Sequence, residues 1–130
     1  MILSNERQSE IILNELGKNK DELFDISLEW LAKVFIDSKS VIKMKDKERG
    51  KIVGKGYMIV SGRGRLGITY NLTISVKDNR IRMEFGDYGM YDFSPLPTSE
   101  RWALEKAKQK SSQLSEELEL YIKNYSNSDW

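Results

Sequence analysis

The chain has 130 residues, with 21 Lys plus Arg against 20 Asp plus Glu and neither Cys nor His. That length suits one folding unit spanning residues 1–130. The missing thiols and imidazoles exclude disulfides, thiolate zinc sites, cysteine nucleophiles and the commonest general base.

The start, Met1-Ile2-Leu3-Ser4-Asn5-Glu6-Arg7, lacks a basic stretch followed by an apolar run, so no signal peptide is expected in this chain. No segment approaches the ~20 apolar residues of a membrane-spanning helix. Localisation stays open between the cytoplasm and the mature part of an exported protein.

Ser9-Glu10-Ile11-Ile12-Leu13-Asn14-Glu15-Leu16 is a short apolar run stopping at Gly17, which predicts a first strand. Asn19 precedes Glu22 at the spacing of a helix cap with a capping box. Leu23, Phe24, Ile26, Leu28, Trp30, Leu31, Val34 and Phe35 then recur over roughly 200° of the helical wheel. So wide a stripe predicts a helix lying flat across a sheet, ended by Asp37-Ser38-Lys39-Ser40.

Four strand signals follow with no helix between them. They are residues 41–45, 51–60, 68–77 and 80–85, with Asp46-Lys47-Glu48-Arg49-Gly50 as the first turn. A glycine-rich connection spans residues 61–67, and Asp78-Asn79 forms a tight hairpin turn that needs positive φ. The last two strands alternate cleanly, with Leu72, Ile74, Val76, Ile81 and Met83 on one face and Thr73, Ser75, Lys77, Arg80 and Arg82 on the other. Such a meander is an antiparallel sheet covered on a single side.

After Asp92-Phe93-Ser94-Pro95-Leu96-Pro97, Thr98 or Ser99 is the expected cap of a carboxy-terminal helix. Ala103, Leu104, Ala107, Leu114, Leu118, Tyr121, Ile122 and Tyr125 fall on one stripe of a helix of roughly 27 residues. Trp102 lies off that stripe by roughly 140°, and with Trp130 it is expected at the surface or an interface. The order β-α-β-β-β-β-α gives an α+β, two-layer domain whose antiparallel sheet carries both helices on one face. Its expected core joins Leu23, Trp30, Leu31, Val34, Leu72, Ile74, Val76, Ile81, Met83, Leu118 and Ile122.

Several runs carry a family resemblance. They are Leu28-Glu29-Trp30-Leu31-Ala32, Ser38-Lys39-Ser40-Val41-Ile42, Asp46-Lys47-Glu48-Arg49-Gly50-Lys51-Ile52-Val53-Gly54-Lys55-Gly56, Tyr70-Asn71-Leu72-Thr73-Ile74 and Val76-Lys77-Asp78-Asn79-Arg80-Ile81-Arg82. Together they resemble bacterial domains of unknown function with a TBP-like (TATA-binding-protein-like) fold, over roughly residues 9–86. Members usually carry a small residue where Asn79 stands and an aromatic where Ile81 stands. The resemblance implies a TBP-like fold and an exported or envelope-anchored setting. Because TBP joins two such halves into one saddle, it also implies a homodimer. It implies no reaction.

Gly62-Arg63-Gly64-Arg65-Leu66-Gly67 matches the dinucleotide fingerprint by letter, but a strand rather than a helix follows it. It is read as a hairpin loop. Gly54 and Gly56 share a strand face, which predicts close approach by a helix through Trp30, or else a bulge or a ligand slot under that helix. The carboxylate pairs Asp46/Glu48 and Asp87/Asp92 lack metal-loop spacing, so no metal, cofactor or catalytic residue is expected.

Charge is the unusual feature. Residues 39–82 hold twelve Lys and Arg against Asp46, Glu48 and Asp78, a net +9, while the segments before and after carry −4 each. The chain is expected to be no enzyme but a binding or interaction module with a protein partner or second copy, associated with the cell envelope as the resemblance implies. The alternative is weak, sequence-independent polyanion binding (nucleic acid, glycan or lipid) on the open face of the sheet. Its candidate residues are Lys43, Lys45, Lys51, Lys55, Tyr57, Lys77, Arg80 and Arg82. Tyr57 is the only clear stacking aromatic, and the face is expected to be polar, without apolar wedges for DNA.

Overall fold

The computed structural model describes residues 8–36, 39–62, 64–90, 97 and 100–125. The elements run β1 (Ser9–Leu13), α1 (Lys20–Val34), β2 (Val41–Asp46), β3 (Lys51–Ser61), β4 (Arg65–Lys77), β5 (Arg80–Met90) and α2 (Arg101–Lys123). All five strands join one antiparallel sheet in the order β1-β5-β4-β3-β2, so β1 and β2 are its edges. This is the expected α+β order, with both helices on one face.

Helix α1 begins where Asn19 accepts the backbone N–H of Glu22 while the Glu22 carboxylate accepts the N–H of Asn19. The capping box satisfies two N–H groups that the helix itself leaves unpaired. Helix α2 starts at Arg101 with no side-chain cap on Glu100; Thr98 and Ser99 lie outside the described residues, as do Asp37, Ser38, residues 91–96 and Trp130.

The core is continuous between the layers. Leu23, Trp30 and Leu31 of α1 and Leu118 and Ile122 of α2 are buried against Leu72, Ile74, Val76, Ile81 and Met83. Val34 is only partly buried at the margin of this cluster. Burial of so much apolar surface is the main force holding the helices on the sheet.

Three local expectations about the strands change. The first strand stops at Leu13 because Glu15 (φ 57°) and Gly17 (φ 71°) turn the chain toward α1. The glycine-rich connection shortens to residues 62–64, since Ser61 already pairs with Arg65; Arg63 lies outside the described residues. Strand β5 runs on to Met90 through a bulge at Asp87 (φ 52°), which breaks the alternation that marks a strand.

The glycines of β3 are covered by other residues than Trp30. The Tyr70 ring on β4 fills the space above Gly56, and the Phe35 ring at the end of α1 fills that above Gly54. Tyr70 in turn stands among Phe35, Phe85 and Tyr88 at ring separations of 5.8–6.5 Å. The close visitor is a neighbouring strand's aromatic at Gly56 and the end of the helix, through Phe35 rather than Trp30, at Gly54. Trp102 is half-buried with its ring over Gly62, not free at the surface.

Candidate functional site

Cross-strand partners share a face, so the register maps the uncovered side of the sheet residue by residue. Lys77 stands beside Arg80, next to the hairpin turn. One row further in, Asp46, Lys51, Ser75, Arg82 and Ile12 follow one another across β2, β3, β4, β5 and β1, so one carboxylate stands opposite Lys51. Neighbouring strands lie about 4.8 Å apart, so Lys51, Lys77, Arg80 and Arg82 form a cluster around Ser75.

The other candidates are dispersed. The next row holds Met44, Val53, Thr73, Glu84 and Glu10, and the row beyond it Val41, Lys55, Asn71 and Gly86. Glu10 sits directly opposite Glu84, a like-charge pair that separates the basic cluster from the rest of the face. Arg82 Nε meets Glu84 Oε1 at 3.4 Å, and Asp87 accepts a 2.7 Å hydrogen bond from the Asn71 amide. Lys55 thus lies on the far side of a partly acidic strip, and Lys43, in the bulge of β2, has no residue opposite it in the register.

Lys45 leaves the site. A bulge between Ile42 and Met44 shifts the register, so Lys45 pairs with Ile52 and shares the helix-covered side. Strict alternation from residue 41 hides that shift. The same bulge turns Met44 to the open face, where it is 42% exposed, alongside Val41 at 47% and Ile12 at 50%. The face is therefore less polar than alternation of β4 and β5 suggests.

Tyr57 is already engaged. Its ring lies across Gly67, Lys39 Nζ stands 4.6 Å from the ring centroid, and its backbone N–H donates to Ser40 Oγ. A ring held between a backbone and an ammonium is a packing device rather than a stacking platform.

At the basic end lies a cleft of about 100 Å³, lined by Ile12, Ser75, Lys77, Arg80, Ile81 and Arg82. Lys51, Lys77 and Arg80 have no ion-pair partner among the described residues. The Ser75 hydroxyl is shielded from solvent and has no hydrogen-bond partner among them. Nothing in the sequence marks Ser75 or Ile12 out; each is one more residue in a strand pattern. Only the pairing of β4 with β5 and of β5 with β1 brings them together.

Among the described residues no group of three or more carboxylates is arranged to hold a metal. The buried titratable side chains there are the phenols of Tyr70 and Tyr88, both on the helix side of the sheet. Burial raises the Tyr88 pKa above its ordinary value, against the opposing effect of hydrogen bonds with Ser111 and Ser9. No described helix is long and apolar enough to cross a membrane.

The family model for the domain of unknown function (DUF4468) with TBP-like fold matches residues 9–90. Among solved structures, a TBP-like protein from Parabacteroides distasonis superposes with a TM-score of 0.74 at 15% identity, covering 95% of this chain and 97% of that one. A DUF4468 family protein from Bacteroides ovatus gives a TM-score of 0.68 at 14% identity, over 93% and 88% of the two chains. At such identities the likeness is one of fold. No curated protein matches the sequence.

Proposed function

The chain belongs to the DUF4468 family with TBP-like fold, and from that premise we propose that it is a non-enzymatic binding module taking polyanions on the open face of its sheet. The observation that carries this reading is the convergence of Lys51, Lys77, Arg80 and Arg82, from three adjacent strands, on the face that neither helix covers. Cations so placed attract phosphate, sulfate or carboxylate arrays with little regard to sequence. Binding is modest, because Glu10 and Glu84 interrupt the field and each cation is solvated. Duplex DNA, heparin and anionic glycans are equivalent probes of this chemistry.

The test is retention on heparin and on immobilised duplex DNA across a salt series. Reversal of Lys51, Lys77 and Arg80 to Glu is compared with reversal of Lys45, Lys106 and Lys110 to Glu. The second set changes net charge equally but lies on β2's helix side and on α2. Loss of retention in the first variant alone is expected. Equal loss in both, or no retention of the parent protein at low salt, overturns the reading.

A further inference from the structure

We infer that the cleft at the basic end of the open face is a discrete subsite for one tetrahedral oxyanion carrying an apolar substituent, as in an alkyl phosphate. The inference rests on the polyanion reading, to which it adds a location, a ligand shape and a hydrogen bond. Three independent observations meet at this place.

The first is size. About 100 Å³ is the space of roughly three waters, enough for a single phosphate or sulfate group. The second is an unmet polar group. Ser75 is one of the cleft's lining residues, and its hydroxyl, shielded from solvent, has no partner among the described residues. Buried hydroxyls are nearly always hydrogen-bonded, so an isolated one points to a missing partner. An oxyanion supplies an acceptor for the Ser75 O–H, while Lys77 and Arg80, unpaired among the described residues, neutralise its charge. Arg82 keeps most of its guanidinium donors despite its single contact with Glu84.

The third observation is Ile12. It is half exposed on edge strand β1, directly across from Arg82, and forms one wall of the same cleft. An apolar wall beside three cations suits a ligand that is charged at one end and hydrocarbon at the other. Inorganic phosphate satisfies the cations and Ser75 but leaves Ile12 in water. A short alkyl phosphate satisfies both. The chemistry is shared by a soluble phosphate monoester and a lipid headgroup.

The experiment titrates the purified full chain with inorganic phosphate and with octyl phosphate, following amide shifts by NMR and heats by calorimetry. Saturable binding of one equivalent, with shifts centred on residues 75–82 and tighter binding of octyl phosphate, is expected. Ser75→Ala should weaken both ligands by about tenfold, the size of one hydrogen bond to a charged group. Ile12→Thr should weaken only octyl phosphate. Arg80→Gln, at an exposed position, provides a second variant should Ser75→Ala fold poorly.

Vesicles of phosphatidylcholine with phosphatidic acid separate the two sources. Sedimentation with them indicates a headgroup ligand, and octyl phosphate binding without sedimentation indicates a soluble monoester. Shifts spread over the whole face, or affinities unchanged in Ser75→Ala and Arg80→Gln, overturn the subsite. If heparin retention persists in that case, the polyanion reading stands without the subsite. If heparin retention is itself absent while octyl phosphate binds at residues 75–82, the broader reading fails and the cleft remains.

Discussion

The side-chain oxygen of Asn79, at the tip of the β4–β5 hairpin, accepts the backbone N–H of Gly17 at 2.5 Å across 62 positions of sequence. The same residue donates its own N–H to Lys18 and accepts the N–H of Leu16, while Asp78 accepts the N–H of Lys20 at the start of α1. A hairpin turn thus clamps the loop that launches the first helix. The clamp sits beside Lys77 and Arg80, so it also fixes the rim of the cleft.

Asn79 adopts φ 70°, a conformation costly for most side chains. Asn79→Ala should lose both the hydrogen bond and the tolerance of positive φ, costing about 2–3 kcal/mol. Asn79→Gly keeps the backbone freedom and should cost about 1 kcal/mol. Denaturant unfolding of the two variants checks the difference. Equal costs would show that the backbone conformation carries none of it.

Trp30 is 5% exposed between α1 and the rest of the core. Trp30→Ala should cost about 3–5 kcal/mol in denaturant unfolding. A loss under ~1 kcal/mol would remove it from the core.

Gly56 lies beneath the Tyr70 ring, which is itself hemmed in by Phe35, Phe85 and Tyr88. Gly56→Ala should therefore cost about 1–3 kcal/mol, the range for overpacking a filled core. Gly54→Ala should cost less, because Phe35 stands at the partly buried end of α1 and can move aside. The reverse order of melting temperatures contradicts this picture.

Tyr88 is buried, and its hydroxyl lies 2.6 Å from Ser111 Oγ. Burial favours the uncharged phenol, so its folded-state pKa stands above the ordinary value of 10.0. The unfolded chain then releases this proton first. The corresponding stability is complete below about pH 10 and is lost as pH rises through the folded value. Tyr88→Phe should cost about 1 kcal/mol at neutral pH and flatten the fall in stability at high pH. Parallel alkaline unfolding curves for the two proteins would contradict it.

On duplex DNA, four clustered cations correspond to a slope of log affinity against log salt of about −3.5. Each reversal among Lys51, Lys77 and Arg80 should reduce that slope by about 0.9. Fluorescence anisotropy at several salt concentrations measures it. A slope unmoved by all three places the contact elsewhere.

Much of this protein is written in local periodicity. The apolar stripe from Leu23 to Phe35, the capping box of Asn19 and Glu22, and the alternation of β4 and β5 identify the first helix and an antiparallel sheet, because each depends only on residues a few positions apart. The core of Trp30, Leu72, Ile74, Met83 and Ile122 follows from the same patterns.

What those patterns leave undecided is register. The bulge between Ile42 and Met44 sends Lys45 to the helix side without a visible break in spacing, and the one at Asp87 carries β5 on past the point where its alternation fails. Pairing of β1 with β5 places Glu10 against Glu84 and Ile12 against Arg82, across some 70 residues of chain. The sequence alone determines which residues are basic and which strands carry them. Tertiary pairing decides that Lys51, Lys77, Arg80 and Arg82 surround one shielded serine while Lys43 and Lys55 do not. The reason is physical: strand neighbours are chosen by hydrogen bonds and burial between distant segments, and a shift of a single residue turns a side chain to the other face.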